Sequence, residues 1–374
     1  MNRSSPRPAQ APRRLAVCLT SLGHGGAQRA LVTLVSSLVK RGWTIDLLVF
    51  SSSGSYLDDV PSGVILHVIG GTLPRQLLGI RRYALRHPAA VFLSGQTRMS
   101  RVMGLACRLG LFRQPLVIRE PNRIVAEKSR GSGRLWAAFM PWLYRAASGY
   151  VTLSTAARDD LATMLGIDPK GLPLIPNAVD QQLVESRGRA PLDHPWFVRD
   201  RHCPVILGVG RLVPQKGFET LIDAVAALRT HGPVRLVILG QGPLEQALRD
   251  RAAAAGLGAD FDLPGFQENP YRFMARADVF VLSSRWEGSP NALIEAMATG
   301  TPVVACDCPS GPREVLASPE LGPLVPVGDA PALARAIARV LEDPGDPALR
   351  IAHVRARHGP EELARAYEKV LTDA

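Results

Sequence analysis

The segment that most restricts this chain runs from Ala277 to Pro302 and reads ADVFVLSSRWEGSPNALIEAMATGTP. Val279-Phe280-Val281-Leu282 is an apolar run short enough for a buried strand, Ser283 to Glu287 is a polar turn, and a helix opens near Pro290. Ser289 is expected as its N-cap and Pro290 as its first residue, because the missing proline N–H is one of the donors left unpaired there. The amides of Asn291, Ala292 and Leu293 would then face an anion at the positive end of the helix dipole. Glu287 precedes the helix and Glu295 lies one turn inside it, about 6 Å along the axis from Asn291. A pyrophosphate at the helix tip would therefore set a ribose near Glu295. A sugar on its far phosphate would sit near Glu287.

With 374 residues, the chain has room for two domains, each with its own core. Its hydrophobic content of 46% and mean hydropathy near zero describe a soluble protein, and no apolar run approaches the roughly 20 residues that span a bilayer. The basic head and the run LAVCLTSL read as an arm and a first strand rather than a signal peptide. Five scattered cysteines argue against a disulfide framework and for a reducing compartment, and Cys306 and Cys308 lack a second cluster to complete a metal site. Charge is uneven. Up to Ala190 there are 25 Lys and Arg against 10 Asp and Glu; beyond it, 19 against 23, so the front half carries the whole net charge of +11. Such a half suits anionic lipid or phosphorylated substrates, and it contains no recognisable nucleic-acid module.

Element periods point to two doubly wound units. In the first, Leu15–Leu19, a glycine-rich turn, a helix over Ala27–Lys40 and a strand over Thr44–Phe50 make the opening unit, with further strands at 64–69, 90–93, 116–119 and 150–153. The glycine turn departs from the G-x-G-x-x-G spacing, and Ser51 to Ser53 stand where a dinucleotide site would want an acid. Within KSRGSGRLWAAFMPWLYRAA, Lys128, Arg130, Arg134 and Arg145 flank Trp136, Phe139 and Trp142, a pattern suited to an anionic lipid interface, and Pro141 is expected to kink any helix there. In the second unit, strands at 205–209 and 234–239 are each followed by a glycine-containing loop.

EGSPNALIEAMATGTPVVA, GRLVPQKGFETLIDAVAAL and GHGGAQRALVTLVSSLVKRGW together resemble the retaining nucleotide-sugar glycosyltransferases of family 4, which have the GT-B fold of two Rossmann-like α/β domains facing across a cleft. The resemblance implies that Arg211 and Lys216 meet the donor diphosphate, which two cations beyond a strand's carboxyl end can do as its charge grows. Gly25 and Gly26 would let backbone approach donor or acceptor, LPGFQENP would hold the base near Phe266, and Asn177 of LIPNAVD would lie near the cleft. The histidine that such enzymes often carry after the fourth strand is absent from SGQTRMSR.

The expected organisation is an arm over 1–13, an acceptor-side domain over 14–190, a linker over 191–203, a donor domain over 204–357, and a last segment, 358–374, crossing back to the first domain. The expected activity is transfer of a hexose or N-acetylhexosamine from a UDP- or GDP-sugar to a lipid-linked, lipopolysaccharide or exopolysaccharide acceptor at the inner face of the cytoplasmic membrane. Arg211, Lys216 and Glu287 would act in catalysis; Gly25, Gly26, Phe266, Asn291, Ala292, Leu293 and Glu295 would bind donor; no metal or other cofactor is called for. A noncatalytic lipid- or polyanion-binding scaffold and an NAD(P)-dependent oxidoreductase are the alternatives.

Overall fold

A computed structural model describes residues 13–23, 25–52, 54, 56–121, 133–198 and 203–374, with side chains of 133–137 outside the description. Most of the arm, His24, Lys128, Arg130, and the side chains of Arg134 and Trp136 therefore lie outside the described residues. Strands β1 (Arg14–Leu19), β2 (Thr44–Val49), β3 (Ile65–Val68), β4 (Ala90–Ser94), β5 (Leu116–Glu120) and β6 (Gly149–Thr152) form one parallel sheet in the order β3-β2-β1-β4-β5-β6. A second parallel sheet, ordered β12-β11-β10-β7-β8-β9, joins β7 (Val205–Val209), β8 (Arg235–Leu239), β9 (Phe261–Asp262), β10 (Val279–Leu282), β11 (Val303–Cys306) and β12 (Leu324–Val325). Both faces of each sheet are covered by helices. The two central strands of the second sheet are accordingly apolar throughout, and in β10 every residue is buried.

Strand order reverses between β1 and β4 in the first sheet and between β7 and β10 in the second. Chains leaving the carboxyl ends of two such strands go to opposite faces and open a crevice between them. The loops after β1, β4, β7 and β10 therefore meet at the site, where segments after other strands join them.

The chain changes domains earlier than the boundary expected at 190. The helix Gln181–Gly188 packs on the second sheet's core through Val184, and Gln181 Nε2 donates to the Ala298 carbonyl at 2.8 Å. Fully burying a valine contributes about 1.5–3 kcal/mol, which outweighs the polar character of the rest of the segment. The segment read as a linker is likewise anchored, with Phe197 in that core and His194 Nε2 3.0 Å from Asp262.

Helix Pro347–His358 stays with the second domain, where Arg350 donates to the Gly300 carbonyl from Nε and Nη2. Beyond Gly359 the helix Pro360–Asp373 lies against the first domain, burying Ala364, Tyr367 and Leu371 among residues of β1, β2 and the helix Gly26–Lys40. The two crossings are tied to each other: Val179 N–H donates to His358 O, and His358 Nδ1 lies 2.9 Å from Asn177 O. Burial pushes the His358 imidazole down to about 4, against the hydrogen bond to Asn177, so the ring is neutral at ordinary pH.

Candidate active site

The loop after β7 begins with Gly210, exposes Arg211, buries Leu212, and makes a short 3-10 turn over Pro214–Lys216. Gly217 ends that turn at φ 59°, and a Cβ there would stand 2.3 Å from the Ser283 carbonyl oxygen. Only glycine lets the loops after β7 and β10 touch in this way. Ser283 Oγ then donates to Lys216 O at 2.8 Å, and Gln215 Nε2 to Trp286 O at 2.9 Å. The contact places Lys216 Nζ 2.6 Å from Glu287 Oε1, which also accepts from Ser284 Oγ at 2.6 Å. Glu287 is buried but its other oxygen, Oε2, has no protein partner among the described residues.

The helix after β10 starts one residue later than its sequence suggests. It spans Asn291–Ala298, with Pro290 at the cap position and no side-chain cap. Ser289 Oγ turns instead toward Asn291 Oδ1, at 3.3 Å. Of the three expected anion-binding amides, that of Asn291 donates to Ser289 O and that of Leu293 to Pro290 O, both at 2.9 Å. Leu293 itself is fully buried in the core and does not line the cleft, which removes it from the site. Proline's fixed φ tightens the first turn and draws its neighbours' amides inward, leaving Ala292 as the amide without a backbone acceptor among the described residues.

The first domain meets this helix directly. Asn291 Oδ1 accepts from Asn177 Nδ2 at 2.7 Å, and Asn177 Oδ1 from Arg119 Nη2 at 2.5 Å. Arg119 is fully buried and is held further by Gly95 O and the Tyr367 hydroxyl. Gly26 opens the helix Gly26–Lys40 so close to the other domain that a Cβ would stand 2.7 Å from Asn291 Nδ2.

One turn further on, Glu295 is buried against Arg29 of the first domain. Arg29 Nη1 stands 3.3 Å from Glu295 Oε1 and 3.0 Å from the Tyr271 hydroxyl, while Nη2 donates to Glu268 O at 3.2 Å. The guanidinium also lies over the rings of Tyr56 and Tyr271, at 5.0 and 4.9 Å. Burial, which would weaken the guanidinium's proton, is outweighed by Glu295 and the tyrosines, so Arg29 keeps its charge. Burial lifts the Glu295 carboxyl above its ordinary range, against the pull of Arg29 and Tyr271. As with Glu287, both bonds fall on Oε1 and Oε2 has no protein partner among the described residues.

These groups line one cleft of about 510 Å³ between the domains, within the range of small-ligand sites. Of the residues singled out in the sequence, Gly25, Gly26, Arg211, Lys216, Phe266, Glu287, Asn291, Ala292 and Glu295 all border it. So do Gln96 and Thr97, at the place where no histidine stands; Gln96 Oε1 accepts from the amide and hydroxyl of Thr20. Sequence reasoning missed Arg29. A cation in the first turn of a helix, with no acid there, opposes the dipole and needs a partner from elsewhere, but the local residues do not say which.

Residues 198–372 match the family model for glycosyl transferases group 1, and residues 24–183 that for glycosyltransferase family 4. A Campylobacter jejuni relative, N-acetylgalactosamine-N,N'-diacetylbacillosaminyl-diphospho-undecaprenol 4-alpha-N-acetylgalactosaminyltransferase, is 28% identical over 380 residues, covering 96% of both chains. The lipopolysaccharide core biosynthesis glycosyltransferase LpsE of Rhizobium meliloti is 39% identical over 155 residues, 41% of this chain and 43% of its own. In fold, the chain is similar to Anabaena Alr3699/HepE, solved with UDP and glucose, at a TM-score of 0.80 and 20% identity over 97% of this chain and 100% of that one. WaaG, a glycosyltransferase involved in lipopolysaccharide biosynthesis, aligns at 0.67 and 17% identity over 96% and 98%.

Proposed function

The chain belongs to the group 1 glycosyltransferases of the GT-B fold, and from that premise we propose that it transfers a hexose or N-acetylhexosamine from a UDP-sugar, with retention, to a lipid-linked or lipopolysaccharide-type acceptor. The observation that carries the donor assignment is the matched state of the two glutamates. Each has Oε1 engaged by the protein and Oε2 without a partner among the described residues, one beside the Lys216 ammonium and one a helical turn inside the 291–298 helix. That spacing suits a sugar hydroxyl on Glu287 and a ribose hydroxyl on Glu295, with the diphosphate between them at Arg211, Lys216 and the Ala292 amide. UDP is favoured by its presence in the fold relative from Anabaena. The acceptor class is favoured by what the Campylobacter and Rhizobium relatives act on.

In this reading the anomeric C–O bond breaks toward the diphosphate, and Arg211 and Lys216 stabilise the charge that accumulates there. Glu287 keeps Lys216 in place and so acts on the leaving group as well as on the sugar. A phosphate oxygen of the donor takes the acceptor's proton, and the new bond forms on the face the diphosphate leaves. The two cations can do the work that a divalent ion does in other sugar transferases, so activity should persist in EDTA. Complete loss rescued by manganese would overturn that point.

The acceptor would be met at a membrane surface through the basic first domain. No helix among the described residues is long and apolar enough to cross a bilayer. The experiment is incubation with UDP-sugars and a lipid-diphosphate-linked saccharide, with the anomeric configuration of the product read by NMR. An axial product from an axial donor supports the proposal; an equatorial product removes retention, and no product with any lipid-linked or polysaccharide acceptor removes the acceptor class.

A further inference from the structure

The hydrogen bonds that run from Arg119 to the cleft all point one way, and their direction is fixed at the first residue. A guanidinium can only donate: Arg119 gives Nη1 to Gly95 O at 2.9 Å, Nε to the Tyr367 hydroxyl at 3.1 Å and Nη2 to Asn177 at 2.5 Å. Asn177 must therefore turn Oδ1 toward Arg119, which leaves Nδ2 to donate to Asn291 at 2.7 Å. Asn291 in turn must present Oδ1 to Asn177, and the Ser289 hydroxyl points at the same oxygen from 3.3 Å. The Nδ2 of Asn291 is thereby turned away from these partners and has no acceptor among the described residues.

Burial and packing hold this order in place. Arg119 and Asn177 are both buried, and the Asn177 carbonyl accepts from His358 Nδ1 at 2.9 Å. Asn291 lines the cleft against Gly26, where a Cβ would stand 2.7 Å from its Nδ2 and 2.9 Å from its Cβ. Neighbouring main-chain groups are donors too. The amide of Ala292, and those of Gly26, Ala27 and Gln28 at the uncapped start of their helix, have no backbone acceptor among the described residues. A ligand group that fits among such donors accepts and does not donate.

We propose that Arg119 and Asn177 are positioning residues that fix the sense of the Asn291 amide, so that its N–H2 end meets a phosphate oxygen of the donor diphosphate. This rests on the reading of the cleft as a nucleoside-diphosphate site. A free asparagine can offer a ligand either end of its amide, and with the ends exchanged Oδ1 would face the phosphate and repel it. The relay removes that arrangement before the ligand arrives. Because Arg119 and Asn177 belong to the first domain and Asn291 opens a helix of the second, one domain sets the polarity of the other's phosphate site.

The test is the affinity of the full chain for UDP and for uridine, which lacks the phosphates, in wild type, Asn177→Asp, Asn291→Ala and the double variant, with the thermal melt of each protein. Asn177→Asp changes one atom and keeps the bond to Arg119, whose charge holds the new carboxylate ionised, so the chain should fold. That carboxylate can only accept. Asn291 should then turn Nδ2 toward it and Oδ1 toward the phosphate. The proposal expects Asn177→Asp to weaken UDP about ten- to more than a hundredfold while uridine binding and the melt stay as in wild type. In the Asn291→Ala background the same change should cost nothing further. Wild-type affinity for UDP in Asn177→Asp overturns the relay and leaves the donor site standing, whereas a wild type that fails to bind UDP overturns both. An equal loss in the Asn291→Ala background means that the new charge acts through space, and a parallel fall in uridine binding means that Asn177 only supports the fold; either overturns the relay.

Discussion

Glu287 and Glu295 are eight residues apart and stand in opposite relations to the domain interface. Glu287 is satisfied within its own domain, by Lys216 and Ser284. Glu295 takes its charged partner from the other domain, through Arg29, with Tyr271 beside it. The difference separates two jobs. Lys216 and Glu287 form a pair that survives any movement of one domain on the other, as a group that must meet developing charge should. Arg29 and Glu295 pair across the domain interface, so under the proposed function ribose binding at Glu295 would be coupled to any movement of one domain on the other.

The comparison breaks most easily at Arg29. Arg29→Met leaves a buried carboxylate without its cation and should destabilise the protein by about 3–5 kcal/mol in urea denaturation. Most of that should return in the double variant with Glu295→Leu, since the pair as a whole is worth much less than the penalty of splitting it. A loss below about 1 kcal/mol in the single variant would mean that the pair is not the interface's anchor.

Lys216→Ala also leaves a buried carboxylate, Glu287, without its cation, so it too should destabilise the protein, by up to about 3–5 kcal/mol; in the folded enzyme it should lower kcat by about a hundred- to a thousandfold, the usual effect of removing one group that meets charge in the transition state. A rise in KM with kcat intact would instead make Lys216 a ground-state binding residue, and the contrast with Arg29 would lose its catalytic half.

The smallest effect is at the junction that holds Arg29 over Glu295. The folded-state pKa of His358 is pushed down to about 4 from an ordinary value of 6.5. The unfolded chain therefore binds a proton at His358 through that interval while the folded chain does not, and stability is complete above the ordinary value and lost as pH falls toward 4. Between pH 7 and pH 5 the loss should be about 2 kcal/mol. His358→Gln should flatten this interval of the stability profile; an unchanged slope would place the titrating group elsewhere.

What was legible in the sequence follows the same division. Arg211, Lys216 and Glu287 sit on two neighbouring loops whose glycine, strand ends and polar turn are visible in the residues themselves. The alternation of strands and helices likewise follows from short-range patterns. Arg29 was not legible because its partners are 242 and 266 residues away, and nothing local marks which carboxylate it meets. The buried relay from Arg119 through Asn177 to Asn291 is of the same kind, spanning 58 and then 114 residues. The boundary expected at 190 leaves 181–188 in the first domain, and the buried Val184, with the bond from Gln181 to Ala298, assigns the segment to the second. Pro290 misled in a smaller way: it suits the first helical position, yet occupies the cap itself because Ser289 is drawn to Asn291.

The central claim is that the cleft between the domains holds a nucleoside diphosphate with its ribose on Glu295. The most direct measurement is the thermal shift of the purified protein with UDP, GDP, ADP and NADH, for wild type and Glu295→Gln in parallel. A ligand at a hundred times its Kd stabilises by about 2.7 kcal/mol, enough to read as a shift of several degrees. Loss of the charge-assisted ribose bond should weaken binding about ten- to more than a hundredfold and remove most of that shift. The account predicts a shift with UDP that largely disappears in the variant. No shift with any diphosphate, a shift with NADH alone, or a UDP shift that the variant keeps in full would contradict it.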